Sequence, residues 1–470
     1  MKELPQLEKL SNEETHELIM ELWGELQRTR EELEKLQQEL TGSKKVKKTS
    51  ENSSIPPSVG IKAETEKTAK GRGFGHSKGG RKLSTEPDQI ITSQAEICPH
   101  CESQVDKAEQ QLHAVYEKIE LPKIVPIVTQ IRQYGGKCPN CEKSYVSAVP
   151  VGMEQGSPFG RSIESLATYL RYSHAISYER MSQIMTEVFN VKISEGGLAE
   201  LFKRVKSRLE PQVQGILERL QSSRLVCSDE TSARVNSKNE WEWVFQNAEV
   251  CLHVIRPSRG AVVITEVMGE HQPEIWVSDL FSAQKNNPAK TWQVCLAHQL
   301  RDCQYAIDAG DTIFAPIFKR LLLRAFVIHK KREKYSDSTR DQYRYDLNRR
   351  LKRALTLVPT QEDGIRLHKR YTKIQEHLFL FLEDVTIPPT NNSSEQALRL
   401  SVIFRKVTNG FRSDWGKNLF AAVRSIVNTG KRQGLSAFQA ITNALSPISS
   451  LSLIPPSRAI TEKLLATADR

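Results

Sequence analysis

A multidomain α/β chain is the fold class that this sequence predicts, and three observations predict it. Composition changes abruptly after residue 41, from an acidic, leucine-patterned stretch to a basic one rich in Lys, Ser, Gly and Pro. Two CxxC pairs follow, at Cys98 and Cys101 and at Cys138 and Cys141. From residue 223 β-rich runs with short separations alternate with helical patterns, and 311–385 carries no strand signal. At 470 residues the chain has room for about three domains of ordinary size.

The bulk numbers narrow the function classes. The chain is 38% hydrophobic with a net charge of +11, a pI near 9.1 and a mean hydropathy of -0.47. That charge suggests a polyanionic partner, nucleic acid or an anionic membrane. No apolar run approaches the ~18 residues needed to span a bilayer, and MKELPQLEKL has no signal-peptide core. The expectation is a soluble, cytoplasmic protein without membrane spans. In a reducing compartment the CxxC pairs read as metal-binding or redox groups rather than a disulfide framework.

Residues 1–41 hold five Lys/Arg against eleven Glu. Ile19, Leu22, Leu26, Thr29, Leu33, Leu36 and Leu40 step by three and four, an a/d seam with only Thr29 polar. The flanks are nearly all charged or Gln, so the stripe is narrow. This predicts a coiled-coil helix that pairs protomers, with docking on its own domain as the alternative. Residues 42–95 read as a disordered basic linker, either a plain tether or an arm that tracks phosphates.

Residues 96–150 read as a zinc ribbon. Each CPxC sets two thiols on a tight turn, and Cys98, Cys101, Cys138 and Cys141 together offer a tetrahedral four-sulfur site for one structural Zn²⁺. A redox dithiol is the alternative. Between the pairs, VYEKIELPKIVPIVTQIRQY alternates as ribbon strands would. Cys227, Cys251, Cys295 and Cys303 lie in apolar runs and read as buried. Residues 151–220 predict three helices, the third capped by Ser194, that either spell a helix-turn-helix or form a spacer.

The α/β part opens with LVCSDETSARV, EWEWVFQN and VCLHVIRP, an antiparallel meander. GAVVITEVMG follows as a crossing helix, EIWVSDLFSA as a strand ending in an acid, and WQVCLAHQLRDC as a strand running into a helix. This first part of the core spans 221–310. A basic helical insertion spans 311–385, with thirteen Lys/Arg against four acids over 319–353. The helix of NNSSEQALR opens 386–450, and 451–470 is a tail.

Two acids, Asp229 and Asp279, sit at or beside strand ends, where α/β sheets build sites. Either could be a turn acid. Glu395 would be a third, on a helix after the sheet. It could equally close a capping box, three residues after an Asn392 N-cap. Three carboxylates on one sheet face are what a pair of Mg²⁺ ions about 3.5–4 Å apart needs for phosphoryl transfer.

The order of heptad helix, basic linker, CPHC…CPNC, helical segment, SDET, WVSD, CLAH, basic insertion and NNSSEQALR…FRK resembles the transposases of the insertion-sequence 66 family, over about residues 18–445. The most specific matches are Asp229-Glu230-Thr231 and the Asn391-Asn392-x-x-Glu395 run. Arg399, Arg405 and Lys406 also fit the family pattern. Thr390, Gln396 and Phe281 stand where that pattern has Asp, Arg and Tyr.

The resemblance implies a ribonuclease-H-like catalytic core with a helical insertion and an Asp-Asp-Glu triad of Asp229, Asp279 and Glu395. It implies two Mg²⁺ (or Mn²⁺) ions per active site, with His298 and Asn392 in support. Arg399, Arg405 and Lys406 would hold DNA phosphates. The expected activity is binding of transposon ends, cleavage, and strand transfer into target DNA. The expected partners are DNA, a second copy through the coiled coil, and small accessory proteins of the same element. The alternative is a catalytically inactive zinc-containing DNA-binding protein derived from a transposase.

Overall fold

The structure, a computed structural model, describes residues 19–20, 22–32, 46, 48–49, 51–53 and 81–446. Residues 22–32 are helical. Ile19, Leu22 and Leu26 of the heptad seam stand exposed, and Thr29 turns its hydroxyl back on the Glu25 carbonyl. Leu33, Leu36 and Leu40, most of the predicted linker and the tail lie outside the described residues. Asn52, within that linker, is buried and donates to the Asp308 carboxylate at 2.9 Å.

Residues 110–134 depart from the ribbon expected between the cysteine pairs. They form no strand, and Leu112, Tyr116, Leu121, Ile127 and Val128 are exposed. Alternation marks only a chain able to form a strand; the hydrogen bonds need a partner edge. Pro122 and Pro126 also remove two donors. The strands present are short: β1 (Gly135–Lys137) pairs antiparallel with β2 (Ser144–Val146).

A five-stranded mixed sheet organises the rest, in the order β5-β4-β3-β6-β7. The predicted meander is β3 (Leu225–Val235), β4 (Lys238–Gln246) and β5 (Cys251–Arg256), all antiparallel. β6 (Ile275–Ser278) and β7 (Thr291–Val294) then add in parallel on the other side of β3. Every residue of β6 is buried, as expected of an inner parallel strand covered on both faces.

Among the described residues, eight α-helices outside the insertion pack around this sheet. Three precede it: α1 (Arg161–His174), α2 (Tyr178–Glu187) and α3 (Glu195–Leu220). Ser194 caps α3 as predicted, accepting from the Gly197 N–H. Leu198, Leu201, Phe202, Val205 and Leu209 recur at helical spacing and are fully buried. Two helices are interleaved with the strands: α4 (Val262–Met268) crosses between β5 and β6, and α5 (Leu296–Asp308) leaves β7. The insertion supplies α6 (Ala315–Lys331), α7 (Asp337–Ala354) and α8 (Glu362–Ile374). Its apolar side packs on α5, with Phe318 and Tyr371 rings stacked at 3.9 Å.

The chain then returns to the sheet with α9 (Asn392–Thr408), α10 (Asp414–Arg432) and α11 (Ala437–Leu445). One continuous apolar core joins α1–α3, the sheet, the insertion and these last helices. Gly430 lets α10 pass close to α11, because a Cβ there would lie 2.4 Å from that of Ala440. Among the described residues no helix is long and apolar enough to cross a membrane.

Candidate active site

The parallel pairing of β3 with β6 brings the first two acids together. Leu225 faces Ile275 and Cys227 faces Val277; the same register, carried two residues on, sets Asp229 beside Asp279. Asp229 accepts from the Glu230 N–H at 2.9 Å. Asp279 accepts from the Phe281 N–H at 2.9 Å, in the turn that ends β6.

The third acid arrives on α9, and its helix start differs from the capping box expected. The N-cap is Asn391, not Asn392, and it makes no side-chain cap bond. Glu395 therefore stands at the fourth helical position, too far along for the reciprocal cap. Asn392 is exposed, whereas Asn391 is buried and ties three elements together. Its amide donates to the Ser228 carbonyl at 2.7 Å. Its backbone N–H donates to Cys295 Sγ at 3.1 Å. Its side-chain oxygen accepts from the Ser394 hydroxyl at 2.6 Å. Of the two adjacent asparagines, it is Asn391 rather than Asn392 that turns inward.

His298 and Arg301, one turn apart on α5, face the third acid. His298 Nε2 and an Arg301 terminal nitrogen each lie 3.6 Å from Glu395 Oε1. That oxygen is buried without a hydrogen-bond partner, as is His298 Nδ1. Arg301 was not legible as a site residue, although its spacing from His298 on one helix face could have suggested it.

The electrostatics of Asp229 reflect the acids around it. Burial raises the Asp229 carboxyl well above its ordinary range, and the facing carboxylates of Asp279, Glu230 and Glu395 add to this. Glu230 is also raised, chiefly by burial. Gln284 at 3.0 Å and Arg259 at 3.0 Å counter this. Arg259 itself lies over the Trp241 and Phe281 rings, 4.4 and 3.8 Å from their centroids. Phe281 thus serves as a face for a cation.

Among the described residues no three His, Cys, Asp or Glu side chains are gathered as a formed metal site. The donor set nonetheless suits a hard divalent cation. It is all oxygen, it is crowded with like charge, and Glu395 Oε1 is buried without a donor. A folded-state pKa raised in an acid means that stability falls as pH rises from the ordinary carboxylate range toward the folded value. Asp229→Asn should therefore stabilise the metal-free protein at neutral pH by about 1 kcal/mol, and the gain should shrink on acidification. Urea unfolding in a chelator at the two pH values checks this. Lower stability of the variant at neutral pH would refute it.

The cysteine pairs adopt matching turns. Cys98 N–H donates to the Ser103 carbonyl and Cys138 N–H to that of Lys143. Glu102 and Glu142, at φ 55° and 58°, return N–H bonds to the Cys98 and Cys138 carbonyls. Ser103 holds the Cys101 thiol below its ordinary pKa, and the Cys141 and Asn140 amides do so for Cys138. Both turns favour thiolates, the form that binds metal. Cys227, Cys251, Cys295 and Cys303 are buried as expected.

The predicted phosphate contacts separate. Arg399 is exposed one turn beyond Glu395. Arg405 binds the Ser232 carbonyl and hydroxyl. Arg405 and Lys406 both line a cleft beside the β3–β4 tip.

A family model described as "Transposase IS66 family" matches residues 156–419. No curated protein matches the chain. Among solved structures, a chain of "Crystal structure of the Mos1 Strand Transfer Complex" is similar to 33% of this chain at 12% identity, with a TM-score of 0.13. The match spans 65% of that chain's length, and a likeness this slight carries no argument.

Proposed function

The chain belongs to the IS66 family of transposases, and from that premise we propose that it binds the ends of a mobile DNA element and catalyses metal-dependent cleavage and strand transfer with Asp229, Asp279 and Glu395. The observation that carries this reading is the meeting of the three acids, with the β3–β6 register setting Asp229 beside Asp279. They come from two adjacent parallel strands and from a helix far along the chain, yet Asp229 feels both others. The strand order, three antiparallel then two parallel, supports a ribonuclease-H-like core interrupted by the 311–385 insertion.

Asp229, Asp279 and Glu395 would hold divalent cations, which would supply Lewis-acid stabilisation of charge on the phosphoryl oxygens. The protein's own part is positional. β3 and β6 fix two carboxylates side by side, and Asn391 fixes the start of the helix that carries the third. His298 and Arg301 orient Glu395. Water, then a freed 3′-hydroxyl, attacks a phosphodiester in line, and the opposite P–O bond breaks. Arg399 and the basic insertion hold backbone phosphates.

The matching cysteine turns support one structural Zn²⁺ on Cys98, Cys101, Cys138 and Cys141. Purified protein should contain about one zinc per chain, and Cys138→Ser should lose it while DNA cleavage at high protein concentration survives. Metal analysis that finds no zinc would sink this assignment. The exposed Ile19, Leu22 and Leu26 support pairing of two copies through residues 1–41.

A joining assay with a labelled element end and Mg²⁺ tests the whole reading. Joined product supports a transposase. Cut product alone would reduce it to a nuclease, and bound DNA alone to a binding protein.

A further inference from the structure

We propose that the cleft beside the β3–β4 hairpin tip is a phosphate-binding site that grips the backbone of the same DNA whose phosphodiester meets the acids. The proposal rests on the DNA-processing reading above and extends it to a second, non-catalytic grip. Arg234, Arg405, Lys406 and Arg412 line this cleft of about 790 Å³, along with Asn236 and Asn409. None of the four cations forms an ion pair with an acid among the described residues. In a chain that pairs many of its arginines, as Asp346 does with Arg324, Arg349 and Arg350, four unneutralised cations around one concavity call for an anion from outside.

The cleft is built rather than a chance meeting of loops. Asn236 and Ser237 both take positive φ, 46° and 63°, the backbone of a tight two-residue hairpin turn. The tip is then locked to the segment after α9. Asn236 N–H donates to the Phe411 carbonyl at 2.8 Å, and Phe411 N–H donates to the Arg234 carbonyl at 2.7 Å. Gly410 makes the approach possible: its φ is 96°, and a Cβ there would lie 2.4 Å from the Arg234 carbonyl oxygen. The bonds of Arg405 to Ser232 fix that guanidinium as well. Guanidinium groups on a fixed frame match phosphate oxygens.

Position identifies the ligand class. Five residues of β3 separate Asp229 from Arg234, a rise of about 17 Å. Ten residues of α9 separate Glu395 from Arg405, a rise of about 15 Å. Two independent elements therefore set the same interval between acids and cations. A duplex advances 3.4 Å per step of one strand, so about five base pairs lie between a phosphodiester at the acids and a phosphate in the cleft.

The test uses the full-length protein and a fluorescein-labelled duplex of about 20 base pairs, without divalent cation, across a range of NaCl concentrations. The Arg234→Ala, Arg412→Ala double variant should weaken binding and lower the slope of log K against log salt by about 2, because each phosphate contact contributes about 0.9. The Arg234→Lys, Arg412→Lys double variant should keep the wild-type slope. A wild-type slope for the alanine pair would overturn the proposal, as would an equal loss in the lysine pair. Cleavage plays no part in this measurement, so failure of the catalytic reading would register separately in the joining assay.

Discussion

Glu395→Gln should lower cleavage and strand transfer by about three orders of magnitude or more, while DNA affinity and folding stay near wild type. The substitution keeps size and hydrogen-bonding capacity and removes only the charge and one hard oxygen. A capping role would tolerate it, since Gln caps nearly as well as Glu. That role is gone, because the N-cap is Asn391 and Glu395 lies four positions on. Among the described residues, His298 Nε2 and an Arg301 terminal nitrogen each lie 3.6 Å from the carboxylate. Asp229→Asn and Asp279→Asn should fail to the same degree. Combining two of the substitutions should add little, because ligands of one site act as a unit. Strand transfer by the Gln variant within tenfold of wild type would remove Glu395 from the site.

Asn391→Leu should be damaging in two measurements at once. The leucine is close in volume but can neither donate to the Ser228 carbonyl nor accept from Ser394. The Ser228 carbonyl loses this donor and the Ser394 hydroxyl loses its acceptor while keeping the bond from Gln246, at roughly 1–3 kcal/mol for a buried group left unpaired. The same bonds place the first turn of α9 against β3, and a shift of about 1 Å in a reacting group can cost about a hundredfold in rate. The expected result is lower stability with kcat falling further than KM rises. Asn391→Asp retains the acceptor for Ser394 but sets a further carboxylate near Asp229, so it should fare no better. Unchanged strand transfer by either variant would reduce Asn391 to a passive core residue.

The sheet was legible because its strands carry dense β-branched and aromatic runs, and short gaps dictated a meander. Asp279 was legible from its place just past the end of β6, whereas Asp229, expected at a strand end, lies inside β3 beyond the last residue paired with β6. What could not be read was which of two adjacent asparagines turns inward. A helix boundary one residue earlier than the pattern suggested moved Asn391 into the core and Glu395 out of the cap. Arg301, Arg234 and Arg412 were equally hidden. An arginine's role depends on which distant element it meets, and the hairpin tip reaches Arg412 only through a lock that Gly410 permits. Residues 110–134 show the converse case, an alternating pattern without a strand, since pairing is a property of two segments.

The insertion between α5 and α9 has a consequence for synthesis. A ribosome completes β3 and β6, and with them Asp229 and Asp279, long before it reaches Glu395. All of 311–385 is made in between. Domains fold as units, N-terminal parts first, and this sheet shares one apolar core with the insertion and with α9–α11, so a nascent chain that stops short of α9 lacks much of the cover its sheet needs. A message broken anywhere in the insertion then yields a polypeptide that lacks Glu395 and leaves part of that shared core uncovered. On the function proposed above, only chains translated through α9 would carry all three acids.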